Sequence, residues 1–198
     1  MSKHVKTLLI AVPFIALLVV ALLMYDALHQ EHAPDNMVAL TEAPVDAAPD
    51  PASDGPTEAE TREIIPDFTL LDADGNTRQI SEFFDKPIIL NFWATWCPAC
   101  VRETAYFETL YQEQGDHIHI MKINLLDGQR ETLAGVESFM YENGYTFPLY
   151  FDVSGAAAFG VRGIPITYFI EAGGHPVAMA QGPLNAETLR QGLEMIGF

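Results

Sequence analysis

The two cysteines of this 198-residue chain stand together as Cys97-Pro98-Ala99-Cys100. A C-x-x-C pair between an apolar strand-like run, Pro87 to Trp93, and a helix-like stretch is the arrangement used for reversible thiol–disulfide exchange. With Cys97 as the N-cap of a helix, Pro98 takes the first helical position, where a missing N–H costs little, and Cys100 takes the third. The Cys97 sulfur then meets unpaired helix N–H groups and the positive end of the helix dipole, and both favour a thiolate. The thiolate is the nucleophile, so Cys97 attacks a substrate disulfide. Cys100, about one turn on, resolves the mixed disulfide that results.

The helix that follows carries a second clue. Cys100, Glu103, Phe107 and Leu110 keep the i, i+3, i+7, i+10 spacing of one helical face, with Tyr106 alongside. Glu103 therefore falls on the apolar stripe. If its carboxyl group is buried there, desolvation raises its pKa and it can relay protons to or from Cys100. If it lies at the stripe edge, it bends out to solvent and does neither. Two other uses of the cysteine pair are weaker. A structural disulfide closing so short a loop constrains the unfolded chain little. A zinc site needs about four ligands, and beyond the pair the chain offers only His29 and His32 in a linker-like stretch and His117 and His119, which alternate on an expected strand and share a face.

The net charge of −17 argues against a nucleic-acid partner, which is held mostly through Lys and Arg. Length and composition fit one domain of roughly 130 residues behind an N-terminal part that does not look globular. Residues 8–24 are apolar apart from Pro13, and with Thr7 and Tyr25 they reach the length that spans a bilayer. Lys3 and Lys6 precede this stretch and no Lys or Arg recurs before Arg62. The positive-inside tendency leaves residues 1–6 in the cytoplasm, makes 7–25 a signal anchor and exports the rest. A cleaved signal peptide is the alternative, but Tyr25-Asp26-Ala27-Leu28-His29 offers no clean small-x-small site, and no cysteine there is free for lipidation. Residues 26–62, with Pro34, Pro44, Pro49, Pro51 and Pro56 among Ala, Asp and Glu, read as an acidic tether that buries too little to order itself. Its r.m.s. span is on the order of 30 Å.

From residue 63 the pattern is globular. Residues 67–71 and the Asp74-Gly75 turn read as a hairpin, 80–84 as a helical turn, 87–93 as a strand buried on both faces and 97–114 as a helix. A strand over 117–125, a helix over 131–142, a short strand over 148–151 and an Ala-rich helix over 154–159 follow. Residues 167–171 and 177–181 pair across Ala172-Gly173-Gly174, and 185–196 closes the chain as a helix capped by Asn185. Alternating strands and helices predict an α/β fold, a central sheet flanked by helices.

Together these features resemble the thioredoxin superfamily, and within it the membrane-anchored, extracytoplasmic TlpA/ResA/CcmG type. The resemblance rests on Phe92-Trp93-Ala94-Thr95-Trp96-Cys97-Pro98-Ala99-Cys100, on Glu103 three residues later and on Gly163-Ile164-Pro165-Ile166-Thr167. It covers residues 63–198, including an N-terminal β-hairpin and a helix and strand inserted between Asp127 and Asp152. It implies a thioredoxin-like fold with a mixed central sheet. It also implies a cis Pro165 beside the disulfide, an Ile164 backbone that pairs with the substrate chain, and Trp96, Pro98 and Ala99 as substrate-facing residues, Trp96 shielding one side of the sulfur.

The implied activity is reduction of specific protein disulfides on the periplasmic side of a bacterial inner membrane. Apocytochrome c is the leading substrate, a membrane thiol donor supplies electrons, and no cofactor is needed beyond the redox-active Cys97–Cys100 pair. Asn91 stands where cytoplasmic thioredoxins keep a buried aspartate, which leaves Glu103 as the remaining proton relay. The Pro98-Ala99 dipeptide leaves the potential open over roughly −270 to −120 mV, so a disulfide-forming oxidase or isomerase is the first rival. A tethered copper or haem metallochaperone is the second. A thiol peroxidase would not need the C-x-x-C partner.

Overall fold

The six residues from Ile88 to Trp93 are all buried, as a strand with helices over both faces requires. They form β4 of an eight-stranded sheet in the computed structural model, which describes Val20, residues 36–40 and residues 63–198. The other strands are β1 (Met37–Ala39), β2 (Thr69–Asp72), β3 (Thr77–Gln79), β5 (His119–Asn124), β6 (Leu149–Asp152), β7 (Ile166–Ile170) and β8 (Pro176–Gln181). The helices are α1 (Pro98–Gln114), α2 (Leu133–Asn143), α3 (Gly155–Ala158) and α4 (Ala186–Met195), and a 3₁₀ turn spans Ile80–Phe83. The strand order is β1-β8-β7-β4-β5-β6-β2-β3, with β4, β5 and β6 parallel and the other neighbours antiparallel. This is the mixed sheet flanked by helices that the element order predicts, with the hairpin β2–β3 and the inserted α2–β6 in place.

Alternation along β4 divides the core. Ile88, Leu90 and Phe92 pack with Phe68, Ile80 and Phe159 on one face. Ile89 packs with Phe107 and Leu110 of α1 and Leu189 of α4 on the other. A Cβ on Gly192 would overlap the Phe169 ring, so glycine is what lets α4 lie against β7. Asn185 caps α4 by accepting from Thr188 N at 2.8 Å.

Two expectations change. The strand read over 117–125 begins at His119, while His117 is exposed and its N–H closes a turn onto Gln114 O. The two histidines therefore do not share a strand face; Nε2 of His119 instead lies 2.8 Å from Asp85 Oδ1. Within the stretch read as a tether, Met37–Ala39 extends the sheet along β8. That pairing uses main-chain groups, and of the three side chains only Met37 packs on the core, which is why composition did not reveal it. Residues 26–35 and 41–62 of the tether and the anchor read at residues 7–25, Val20 apart, lie outside the described residues. Among the described residues, no helix is long and apolar enough to cross a membrane.

Candidate active site

β4 ends at Trp93, and the turn through Ala94 and Thr95 delivers the chain to Cys97 at the head of α1. Cys97 is the N-cap: its backbone is extended, Pro98 follows as the first helical residue, and its sulfur accepts from Cys100 N at 3.2 Å. The helix-start geometry expected for an attacking sulfur is present. Cys97 and Cys100 are joined in a disulfide, with Cys100 wholly buried and Cys97 5% exposed. Cys97 is thus the less enclosed of the two, and its sulfur alone takes the helix N–H contact, so the pair is asymmetric. Around it lie exposed Trp96 and Pro98, half-buried Ala99 and the Ile164 carbonyl, 3.8 Å from Cys97 Sγ. The Ile164–Pro165 peptide is cis.

Beneath the disulfide a polar row crosses the sheet. Register sets Thr167 of β7, Asn91 of β4 and Lys122 of β5 side by side, all fully buried. Lys122 Nζ donates to Asn91 Oδ1 at 2.7 Å, and Asn91 Nδ2 donates to Thr167 Oγ1 at 2.9 Å and to Glu103 Oε1 at 3.0 Å. Glu103, 1% exposed, also accepts from Leu184 N at 2.8 Å through Oε2. The Lys122 ammonium is sandwiched between the rings of Phe107 and Trp93, 4.2 and 4.9 Å from their centroids.

Each of these charges is out of water, and that decides its titration. Burial raises the Glu103 pKa above the ordinary glutamate value; the Lys122 charge and the hydrogen bonds from Leu184 and Asn91 oppose the rise without cancelling it. Burial likewise pushes the Lys122 ammonium down to about 7, against the pull of Glu103. The buried alternative for Glu103 therefore holds and the solvent-facing one does not. Its hydrogen bonds run to Asn91 and Leu184, however, and none reaches Cys100.

A second carboxylate supports the tip of the site. Glu131, 1% exposed, accepts from Thr95 N at 2.8 Å, Thr95 Oγ1 at 2.6 Å and Asn124 Nδ2 at 2.5 Å. It therefore fixes the turn that presents Trp96 and Cys97. The neighbouring Arg130 lays its guanidinium 3.6 Å from the Trp96 ring centroid.

Lys122, Arg130 and Glu131 escaped sequence reasoning. For Lys122 a signal existed, a lone cation inside the apolar run Ile120-Met121-Lys122-Ile123, opposite Asn91 once the parallel register is known. Glu131 falls outside the helix expected to contain it, because Thr132 caps α2 by accepting from Gly135 N. A group of three or more His, Cys, Asp or Glu side chains that could hold a metal ion is absent among the described residues.

Residues 61–175 match the AhpC/TSA family. The thiol-disulfide oxidoreductase ResA of Geobacillus thermodenitrificans is 35% identical over 136 residues, 66% of this chain and 75% of that protein. Among solved structures, the exposed lipoprotein thioredoxin of Streptococcus pneumoniae superposes with a TM-score of 0.56 at 26% identity, over 65% of this chain and 98% of that one. StoA of Bacillus subtilis gives 0.55 at 26%, over 66% and 98%. A capped, one-sided cysteine pair on this fold and these likenesses lead to one assignment: the chain belongs to the AhpC/TSA family, among its thioredoxin-like thiol–disulfide oxidoreductases.

Proposed function

We propose that the protein is a membrane-anchored reductase of specific protein disulfides on the extracytoplasmic side of a bacterial inner membrane. Its substrates are chains whose paired cysteines must be reduced before use, apocytochrome c with its C-x-x-C-H pair foremost. The observation that carries this reading is the asymmetry of the pair: a capped and slightly exposed Cys97 beside a wholly buried Cys100. The apolar stretch of residues 8–24 behind Lys3 and Lys6 supports the anchor, with residues 26–35 as the stretch that links it to β1.

In the reducing direction the Cys97 thiolate attacks one sulfur of the substrate disulfide. A Cys97–substrate bond forms and the other substrate sulfur leaves as a thiolate, which takes up a proton. Cys100 then loses its proton and attacks Cys97 Sγ, closing the protein disulfide and releasing the second substrate thiol. Two electrons pass to the substrate and two protons accompany them. Glu103, three residues along the helix from Cys100, is the group proposed to accept the Cys100 proton, and the half-exposed Trp96 and the Ile164–Pro165 segment frame the incoming chain. No cofactor is required, because the electrons reside in the cysteine pair. A membrane thiol donor must restore them.

The reduction potential of the full-length chain, measured by equilibration in glutathione or dithiothreitol buffers, tests the direction. A value near the reducing end, about −270 mV, is expected, and one near −120 mV makes the protein an oxidant and overturns the assignment.

A further inference from the structure

The protein is strongly acidic, yet the loops around its disulfide are not. The loops gathered at the disulfide end of the sheet are the turn and first helical residues 94–102, the loop 125–132, the loop 159–165 and the turn 182–185. These loops contain Arg102, Arg130 and Arg162, all exposed, and two acidic residues, Asp127 and the buried Glu131; α2, which packs on the pair through Val136 and Met140, adds Glu137 and Glu142. Other cations between positions 63 and 198 are spent elsewhere. Arg78 pairs with Glu82, Arg190 pairs with Glu187 and Glu194, Lys122 is buried, and Lys86 lies at the opposite end of β4 from Cys97.

Each arginine borders a residue that faces the incoming chain. Arg102 follows Pro98 by four positions and Ala99 by three, so it lies directly below them on the exposed side of α1. Arg130 is stacked on Trp96. Arg162 precedes by two residues Ile164, whose carbonyl lies against Cys97 Sγ. Arg102 and Arg162 make no ion pair among the described residues, and the single pair of Arg130, to Asp127, is a long 3.8 Å. The Asp127 carboxylate is meanwhile occupied by Gln129 N and Glu131 N.

We propose that the disulfide this protein reduces lies in an acidic segment of its partner, with aspartate or glutamate flanking the attacked cysteine and read by Arg102, Arg130 and Arg162. The inference rests on the reductase reading and specifies its substrate class. Unpaired arginines on a rim steer association and select partners more than they add affinity, and exposed charges act within a Debye length of about 10 Å at 0.1 M salt. The net negative charge of the whole chain would repel an acidic partner at long range, so the selection belongs to the last few ångströms of docking.

The test uses the reduced full-length chain and three synthetic peptides that share one internal disulfide, with its cysteines flanked by acidic, neutral or basic residues. Oxidation of the protein is followed by tryptophan fluorescence in a stopped-flow instrument. The acidic peptide should react about tenfold faster than the basic one at low salt, and the ratio should fall toward one near 0.5 M salt. Arg162→Glu should lower the acidic-to-basic ratio several-fold, whereas Lys86→Glu, the same change in net charge at the far end of β4, should leave it. Equal rates for acidic and basic peptides at every salt concentration, or an equal response to the two substitutions, overturns the proposal. If none of the three peptides is reduced, the reductase reading itself falls and this inference falls with it.

Discussion

Glu103 in the second turn of α1 and Glu108 a little over a turn further on are both buried glutamates of one helix, and their surroundings drive them in opposite directions. Burial raises Glu108, but Thr146 N and Oγ1, Gln112 Nε2 and Phe147 N all donate to it, at 2.7 to 3.2 Å, and together they hold its pKa below the ordinary value. Glu103 has two donors and a cation one amide removed, and burial wins. The balance of burial against donors therefore decides what a carboxylate does. Glu108, less deeply enclosed and with four donors, is a clamp between α1 and the segment leading into β6, and Glu103, more deeply enclosed and with two, is left able to exchange a proton.

The largest effect that separates the two regions is on stability. Glu108→Ala leaves the buried Phe147 N–H without its acceptor and releases the exposed Thr146 to water, and about 2 kcal/mol should be lost in denaturant unfolding, with the reduction potential unmoved. The sign with pH follows from linkage. Glu108 is lowered in the folded state, so its contribution is present above the ordinary carboxyl range and drains away as pH falls through the lowered value; the deficit of the variant should shrink in acid. Equal deficits at neutral and acid pH would break the contrast.

Next in size is Glu103→Gln. The resolving step should slow about tenfold to a hundredfold, because general acid–base help is removed while the amide keeps the volume. Stability should move the other way. Glu103 is raised when folded, so the native state binds its proton more tightly than the unfolded chain does, and wild-type stability falls as pH rises from the ordinary carboxyl range through the raised value. The glutamine variant lacks that loss and should gain relative stability over that window. A variant that exchanges disulfides at the wild-type rate at all pH values would reduce Glu103 to a packing residue.

Lys122→Met tests the cation across the amide and should act less strongly. Methionine fills much of the same space between Phe107 and Trp93, and removing the charge removes the main force opposing burial at Glu103. The Glu103 titration, followed by carboxyl NMR, should move further up, and the pH profile of exchange should move with it. No displacement would mean that Asn91 insulates the two charges rather than linking them.

What the sequence made legible follows a physical line. Contacts set by neighbours along the chain could be read: the capped Cys97, Cys100 about one turn on and Glu103 on the buried stripe all depend on helical spacing. So could the alternation that buries β4 on both faces. Contacts that need the sheet register could not. Lys122 meets Asn91, and Asn91 meets Thr167, only because β5, β4 and β7 align at those rungs. Glu131 reaches Thr95 across 36 positions, and nothing local marks it. Asn91, noted first as the absence of a buried aspartate, is in the structure the amide through which Lys122 and Glu103 are joined.

Thr167→Val should produce the smallest effect and the most specific one. The two side chains have nearly the same shape, so the core around β7 keeps its volume and only the hydroxyl goes. Asn91 then keeps Lys122 on its oxygen and Glu103 on one N–H, while its other N–H points at a methyl group in a fully buried site. An unsatisfied buried donor costs about 1 to 3 kcal/mol, and here the amide can relieve part of that by turning its remaining hydrogen bond more squarely onto the carboxylate. Stability should therefore drop by about 1 kcal/mol, and the midpoint of the Glu103 titration should fall slightly, opposite in sign to Lys122→Met. If both substitutions displace it the same way, the row acts on Glu103 through packing. If they oppose each other, the row of Thr167, Asn91 and Lys122 sets the proton affinity of Glu103 by hydrogen bonding, which Glu108 achieves without any cation.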